Sequence, residues 1–270
     1  MTTTELGTVG RRLTSAEQQQ YRDDGYLTGL PLFDAAAVEQ MQRRFGELCA
    51  KLPADVEMGR VNCWHKANRW VDHVCRTPAL LDYVEDLVGP NFFLWGAQFF
   101  CKFPGDGTIV PWHQDAQYWP LSPRKAVTAW IALFDTDREN AAMQVVKGTH
   151  QTGDVEHRTS DNANYILPDE IDSAAIDTSR IVSLDLRAGE MSLHDDGLIH
   201  GSGANESDRV RVGLTLRFCA TDVKCDLDVW PYFEAFLVRG IDEFGHNPQG
   251  TIPTQDGFPV TKFQHSSEFA

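Results

Sequence analysis

The chain has 270 residues, enough for a sizeable core and near the upper end for one domain, with 42% apolar and 10% aromatic residues. A net charge of −15 without any clustered run of Lys and Arg argues against a nucleic-acid partner, and no apolar stretch or leader pattern points to a membrane span or signal peptide. Six cysteines without a CxxC pair argue against a zinc knuckle or a dithiol motif and suit reduced, buried thiols, so a cytoplasmic protein, monomeric or homodimeric, is the expectation.

Residues 1–13 read as a loose terminus. Thr14-Ser15-Ala16-Glu17 has the pattern of a capping box and opens a short helix that stops near Gly25. Asp34 caps a second helix, in which Val38, Met41, Phe45, Leu48 and Leu52 form one apolar stripe suited to lie on a sheet. A third helix runs from Thr77-Pro78 to Gly89-Pro90 with Leu80, Leu81, Val84, Leu87 and Val88 inward. Between the second and third helices, residues 59–70 mix cations and aromatics with no period. This suits a loop over a site or an ordinary surface loop equally well. Its Arg60, Lys66 and Arg69, with Trp64 and Trp70, suit an anionic or zwitterionic substrate group, whereas the net charge favours a cation. The two indications oppose one another and assign no substrate class.

After Pro90 the pattern becomes one of strands: 92–103, a short piece before Trp112, 127–134, 143–146, 180–186, 191–194 and 210–219. The expected fold is mainly β with flanking helices, closed as a sandwich or barrel. Residues 154–178, long and polar, are expected to cross the barrel mouth. The organisation expected is a single domain from residue 14 onward, with a helical layer to 90, a β core over 91–221 and a C-terminal extension over 222–270.

The chemistry centres on Trp112-His113-Gln114-Asp115-Ala116-Gln117-Tyr118-Trp119. On an extended strand, side chains two apart leave the same face, so His113 and Asp115 can converge on one divalent ion. His200, which enters the turn Gly201-Ser202-Gly203, is the candidate third ligand. Arg211, eleven positions further on, follows in a β run. Two imidazoles and one carboxylate on iron leave three positions open. A 2-oxo acid can take two of them, and its far carboxylate then needs a buried guanidinium. His194, Arg209 and Arg217 are the rivals: His194 for the metal, the two arginines for the oxo acid.

These features resemble the phytanoyl-CoA dioxygenase family of Fe(II)/2-oxoglutarate oxygenases over roughly residues 14–245. The marks are 87–91, His113-Gln114-Asp115 with Tyr118-Trp119, 128–133, the 139–143 turn leading to Gly148-Thr149-His150, and His200-Gly201-Ser202-Gly203 with Arg211. The resemblance implies a double-stranded β-helix (jelly-roll, cupin-like) core, Fe(II) on His113, Asp115 and His200, and 2-oxoglutarate on Arg211 and Ser202. Gln98 and Trp130 look like further co-substrate contacts. Ala141 stands where relatives usually carry Gly. Related halogenases carry a small residue at the position of Asp115, so the carboxylate here favours oxygen insertion.

Tyr118, Trp119, His194, Trp64 and Arg69 are the candidate substrate residues. Each has a plainer reading: large aromatics are more often core, and a lone histidine is more often structural. His150 and His157 are candidates for the pocket mouth, although isolated surface histidines usually carry no role. The expected reaction is hydroxylation of a small molecule with O2 as co-substrate and release of succinate and CO2. The alternatives are desaturation, cyclisation or epimerisation by the same cofactor chemistry, a cupin-like metalloenzyme without 2-oxoglutarate, and a non-catalytic binding module.

Overall fold

The computed structural model describes residues 6–259. Four helices come first: α1 (Ser15–Asp24), α2 (Ala35–Lys51), α3 (Arg69–Cys75) and α4 (Pro78–Val88), with strand β1 (Tyr26–Pro31) between α1 and α2. The long strands are β2 (Phe92–Lys102), β5 (Ala126–Ala132), β10 (Glu190–Asp195) and β12 (Arg211–Ala220). Shorter ones are β3 (Val110–His113), β4 (Leu121–Ser122), β6 (Gln144–Val146), β7 (Arg158–Thr159), β8 (Asp169–Glu170), β9 (Ile181–Ser183), β11 (His200–Ser202), β13 (Lys224–Cys225) and β14 (Phe236–Arg239).

Two antiparallel sheets form the body. The larger has the order β1-β10-β5-β12-β2-β14 and the smaller β3-β11-β6-β9. This is the facing-sheet arrangement of a jelly roll. Side chains of the large sheet alternate between its faces. Val212, Leu214, Leu216 and Phe218 of β12, with Val127, Ala129 and Ile131 of β5, join one core with Met41, Phe45 and Leu48 of α2 and Leu80, Leu81 and Val84 of α4. The opposite set, Arg211, Gly213, Thr215 and Arg217 with Thr128 and Trp130, faces the small sheet. The period of two thus separates a helix-covered apolar face from a polar interior face.

The predicted helix starts hold. Thr14 accepts from the Glu17 amide while the Glu17 side chain accepts from the Thr14 amide, and Asp34 accepts from the Ala37 amide. Other expectations need correction. Residues 6–13 are packed rather than loose: Val9 donates to the Leu32 carbonyl, Leu13 is buried, and Arg12 forms ion pairs with Asp82, Glu85 and Asp86. The 91–221 core is incomplete, because β1 and β14, from outside that range, supply both edges of the large sheet. The 59–70 segment ends in helix α3, whose Asn68 cap accepts from the Val71 amide. Only part of 154–178 approaches the mouth. Ile171 and Ile176 pack with Val146 and Ile199 behind the small sheet. Residues 1–5 and 260–270 of the expected terminus and extension lie outside the described residues.

Candidate metal centre and co-substrate cleft

His113 is the last residue of β3, and His200, the first of β11, is its register partner across the small sheet. Backbone pairing therefore sets the two imidazoles side by side, with ring centroids 4.1 Å apart. Each ring is oriented by its own chain: His113 Nδ1 lies 2.8 Å from the Pro111 carbonyl and His200 Nδ1 2.9 Å from the Leu198 carbonyl. A carbonyl only accepts, so both Nδ1 atoms carry the proton. Each Nε2 lone pair is thereby left free for a metal. Burial, and then the neighbouring His113, hold the His200 pKa well below its usual value, which keeps that ring neutral.

Asp115 reaches the same point by a different route from the one expected. The strand ends at His113, and Asp115 opens a single 3-10 turn, Asp115–Gln117. The turn is held by Ala116 donating to the Asp196 carbonyl. Gln114, between the ligands, is buried and spends its amide on the Gly153 and Gly197 carbonyls and the Val155 amide. The Asp115 Oδ1 lies 3.5 Å from His113 Nε2 and 3.9 Å from His200 Nε2. Its Oδ2 accepts from Thr128 Oγ1 at 3.3 Å. Burial pulls the carboxyl upward, but His113, His194 and His200 together outweigh it and hold it well below the ordinary range.

These three buried residues offer ligand atoms that all lie within 4.8 Å of one another. The donor set, two neutral imidazole nitrogens and a carboxylate oxygen, fits iron(II) and leaves positions open. His194, also buried, stands outside that set: it lies in β10 of the other sheet, and its Nε2 faces Asp115 Oδ2 at 3.7 Å. A turn at 196–199 separates β10 from β11, so His194 and His200 stand on different strands.

Beyond the ligands the interior turns cationic. Arg211 is 2% exposed, its guanidinium carbon sits 4.8 Å from the centre of the Trp130 ring, and its Nε has no partner. Trp130 lies flat across Gly213, where a Cβ would come within 2.0 Å of the indole. Lys102, the register partner of Arg211 on β2, is also 2% exposed and donates to the carbonyls of Ser202 and Gly203. Burial, then Arg211, lowers the Lys102 pKa to about 7, and burial lowers that of Arg211 to about 10. The Ser202 hydroxyl is buried without a partner. Two buried cations and an orphan hydroxyl at one end of the cleft form a receptor for a carboxylate.

Of the other candidates, Tyr118 stands beside His113 with ring centroids 6.0 Å apart, and Trp119 packs edge-on against Trp95 at 4.7 Å. Three expectations are corrected. Trp64 is fully buried on the helix side of the large sheet, edge-on to Phe99, because the chain there turns its indole into the main core. Arg69 is the first residue of α3 and pairs with Asp256, and Arg60 and Lys66 pair with Glu57 and Glu234, so the cations of that segment are neutralised away from the cleft. Gln98 faces inward, but its amide is committed to the Gly59 carbonyl and to Arg217. Arg209 is spent at the surface on Asp137 and Glu139. His150 bonds the Arg22 carbonyl and His157 accepts from the Gln114 amide, so neither reaches the ligands.

A family model described as phytanoyl-CoA dioxygenase (PhyH) matches residues 21–213. The chain belongs to the phytanoyl-CoA dioxygenase family. Members similar to it include the peroxisomal phytanoyl-CoA dioxygenase of Mus musculus, 24% identical over 88% of this chain and 77% of that protein. An L-proline trans-4-hydroxylase of Streptomyces griseoviridis is 28% identical over 54% of this chain and 63% of that enzyme. Among solved structures, the non-heme monooxygenase ThoJ in its apo form superposes with a TM-score of 0.74 at 28% identity, covering 88% of this chain and 89% of ThoJ. This family member is an oxidoreductase, a dioxygenase that uses iron(II) and 2-oxoglutarate.

Proposed function

We propose that this dioxygenase hydroxylates a small organic molecule: R–H, O2 and 2-oxoglutarate give R–OH, succinate and CO2. The observation that carries this reading is the pairing of two sites in one cleft. His113, Asp115 and His200 present three ligand atoms to one point, and beyond them Arg211 and Lys102 bury positive charge with no ion-paired carboxylate among the described residues. A cupin-like enzyme without 2-oxoglutarate has no use for that second feature.

In this reading iron(II) is held by His113 Nε2, Asp115 Oδ1 and His200 Nε2. When bound with 2-oxoglutarate it supplies the oxidising power for C–H cleavage. The chain's own residues do the rest. Thr128 fixes Asp115 by donating to Oδ2, and the Pro111 and Leu198 carbonyls fix the two rings. Arg211 and Lys102 receive the distal carboxylate, Ser202 Oγ donates to it, and Trp130 forms the apolar wall that keeps the guanidinium in place. Tyr118 and Trp119 border the side on which a substrate would enter. The carboxylate at 115 supports hydroxylation over halogenation.

We further propose a cytoplasmic monomer or homodimer without a nucleic-acid or membrane partner. The six free cysteines support the compartment and the net charge of −15 the lack of a nucleic-acid partner, and among the described residues no helix is long and apolar enough to cross a membrane. The decisive experiment is anaerobic titration of purified protein with iron(II) and then 2-oxoglutarate, followed by admission of O2 and assay of succinate. Uptake of one iron with succinate formation is expected. Protein that binds neither would sink the proposal.

A further inference from the structure

Arg211 has an evident task in the proposed function, but a second buried arginine on the same strand does not. Arg217 lies six residues further along the inward face of β12, which puts about 20 Å between the two α-carbons at ~3.3 Å per residue. It is 7% exposed, and its guanidinium carbon sits 5.6 Å from the Trp95 ring centre and 5.4 Å from that of Trp119. Among the described residues its Nε has no partner, and Nη2 makes a long hydrogen bond of 3.4 Å to Gln98 Oε1. Among the described residues no carboxylate forms an ion pair with it. Asp115 acts on it only from beyond ion-pairing distance, and a buried guanidinium with no paired carboxylate is costly unless something brings one.

The surrounding chain is shaped around this side chain. Opposite Arg217 stands Gly96, where a Cβ would lie 3.0 Å from the Arg217 Cδ. The register between β2 and β12 then slips, from Arg217 opposite Gly96 to Phe218 opposite Leu94, which leaves Trp95 as the extra residue of a bulge. The bulge places the Trp95 indole against the guanidinium. Gln98 donates to the Gly59 carbonyl while accepting from Arg217, which ties the backbone at Gly59 to this end. On the other side of Arg217 its register partner is Thr128, which holds Asp115.

We propose that Arg217 anchors a carboxylate of the primary substrate, with Trp95 and Trp119 packing the adjoining apolar carbon. Adjacent strands are about 5 Å apart, and Thr128 is the strand neighbour of Arg217. The C–H bond oxidised therefore lies within a few carbons of the anchored carboxylate, and the substrate is a small organic acid. This rests on the iron and 2-oxoglutarate reading for the position of the reacting centre, but not for the anion site itself.

The test uses the protein loaded with iron(II) and 2-oxoglutarate without O2, with formate as the probe and tryptophan fluorescence as the readout. Wild type is expected to bind formate saturably and to ignore formamide. Arg217→Gln should weaken formate at least tenfold, Arg217→Lys less, and Gly96→Ala, which crowds the guanidinium but keeps its charge, by an intermediate amount. The affinity for 2-oxoglutarate, measured by calorimetry on the same samples, should fall with Arg211→Met and not with Arg217→Gln. In the aerobic assay, matched sets of small acids and their primary amides should divide, with acids alone stimulating succinate release. Formate binding indifferent to all three Arg217 and Gly96 variants, loss of 2-oxoglutarate rather than formate in Arg217→Gln, or stimulation by amides would each overturn the proposal. If wild type takes up no 2-oxoglutarate, the cofactor reading fails instead, and formate titration of metal-free protein still decides the role of Arg217.

Discussion

Thr128 is not itself a metal ligand, yet by donating to Asp115 Oδ2 it fixes which oxygen of that carboxylate faces the metal. Thr128→Val keeps the shape and removes the donor, so metal affinity or activity should fall by ~10- to 100-fold, measured by iron titration and succinate assay. Asp115→Ala should abolish hydroxylation, and a variant with full activity would overturn the ligand assignment. Lys102 supplies a pH dependence. Its ligand-free pKa is about 7, lowered by burial and by Arg211 and raised in part by Asp106. A bound carboxylate favours the charged form and raises that pKa. Affinity for 2-oxoglutarate should therefore be full below pH 7 and decline above it, approaching tenfold per pH unit until the raised value is passed. Lys102→Met should bind more weakly and lose this slope, which calorimetry from pH 6 to 9 would show. At this scale His113, His200, Ser202 and Arg211 were legible because they sit in short, chemically specific runs. Lys102 was not: a single cation ending the apolar run Phe99-Phe100-Cys101 looks like a surface residue, and only the register with Arg211 buries it. Face alternation could place Arg211 and Arg217 together but could not say that each rests on its own indoles.

Among the elements, those with a strong period or cap could be read in advance, as α2 and α4 show. The edge strands could not. β1 is interrupted by Gly29 at φ 68° and by a register slip between Leu27 and Leu30, so it never shows regular alternation. The short β14 pairs with β2 from a distant part of the chain. Helix α3 was hidden because its buried faces meet both the main core and the segment at 255–257. The 139–143 turn carries a testable anomaly. Ala141, where relatives usually have Gly, adopts φ 66°. A left-handed conformation costs an L residue roughly 1–2 kcal/mol, and glycine returns part of that as unfolded-state entropy. Ala141→Gly should raise stability by about 0.5–1 kcal/mol in denaturant unfolding, with activity unchanged.

For the molecule as a whole, the cleft concentrates positive charge inside a protein of net charge −15. Burying Arg211, Lys102 and Arg217 with no ion-paired carboxylate among the described residues works against the folded state, and ligands that neutralise them should reverse this. Iron(II) and 2-oxoglutarate at 100 times their dissociation constants should each add about 2.7 kcal/mol of linkage stability. Melting in their presence should shift upward by about 5 °C or more, and a chelator should remove the shift. Arg211→Met should be more stable than wild type without ligand but gain less from 2-oxoglutarate.

The placement of Asp115 outside the sheet has a consequence for how such a protein can change. His113 and His200 are register partners, so their positions are set by the backbone pairing of two strands. Asp115 belongs to a turn secured by backbone bonds and by Gln114, and its side chain bears no part of that framework. Mutation can thus exchange one metal ligand while the scaffold folds as before. Two ligands are tied to architecture and one is free to drift, which makes the choice of reaction separable from inheritance of the barrel.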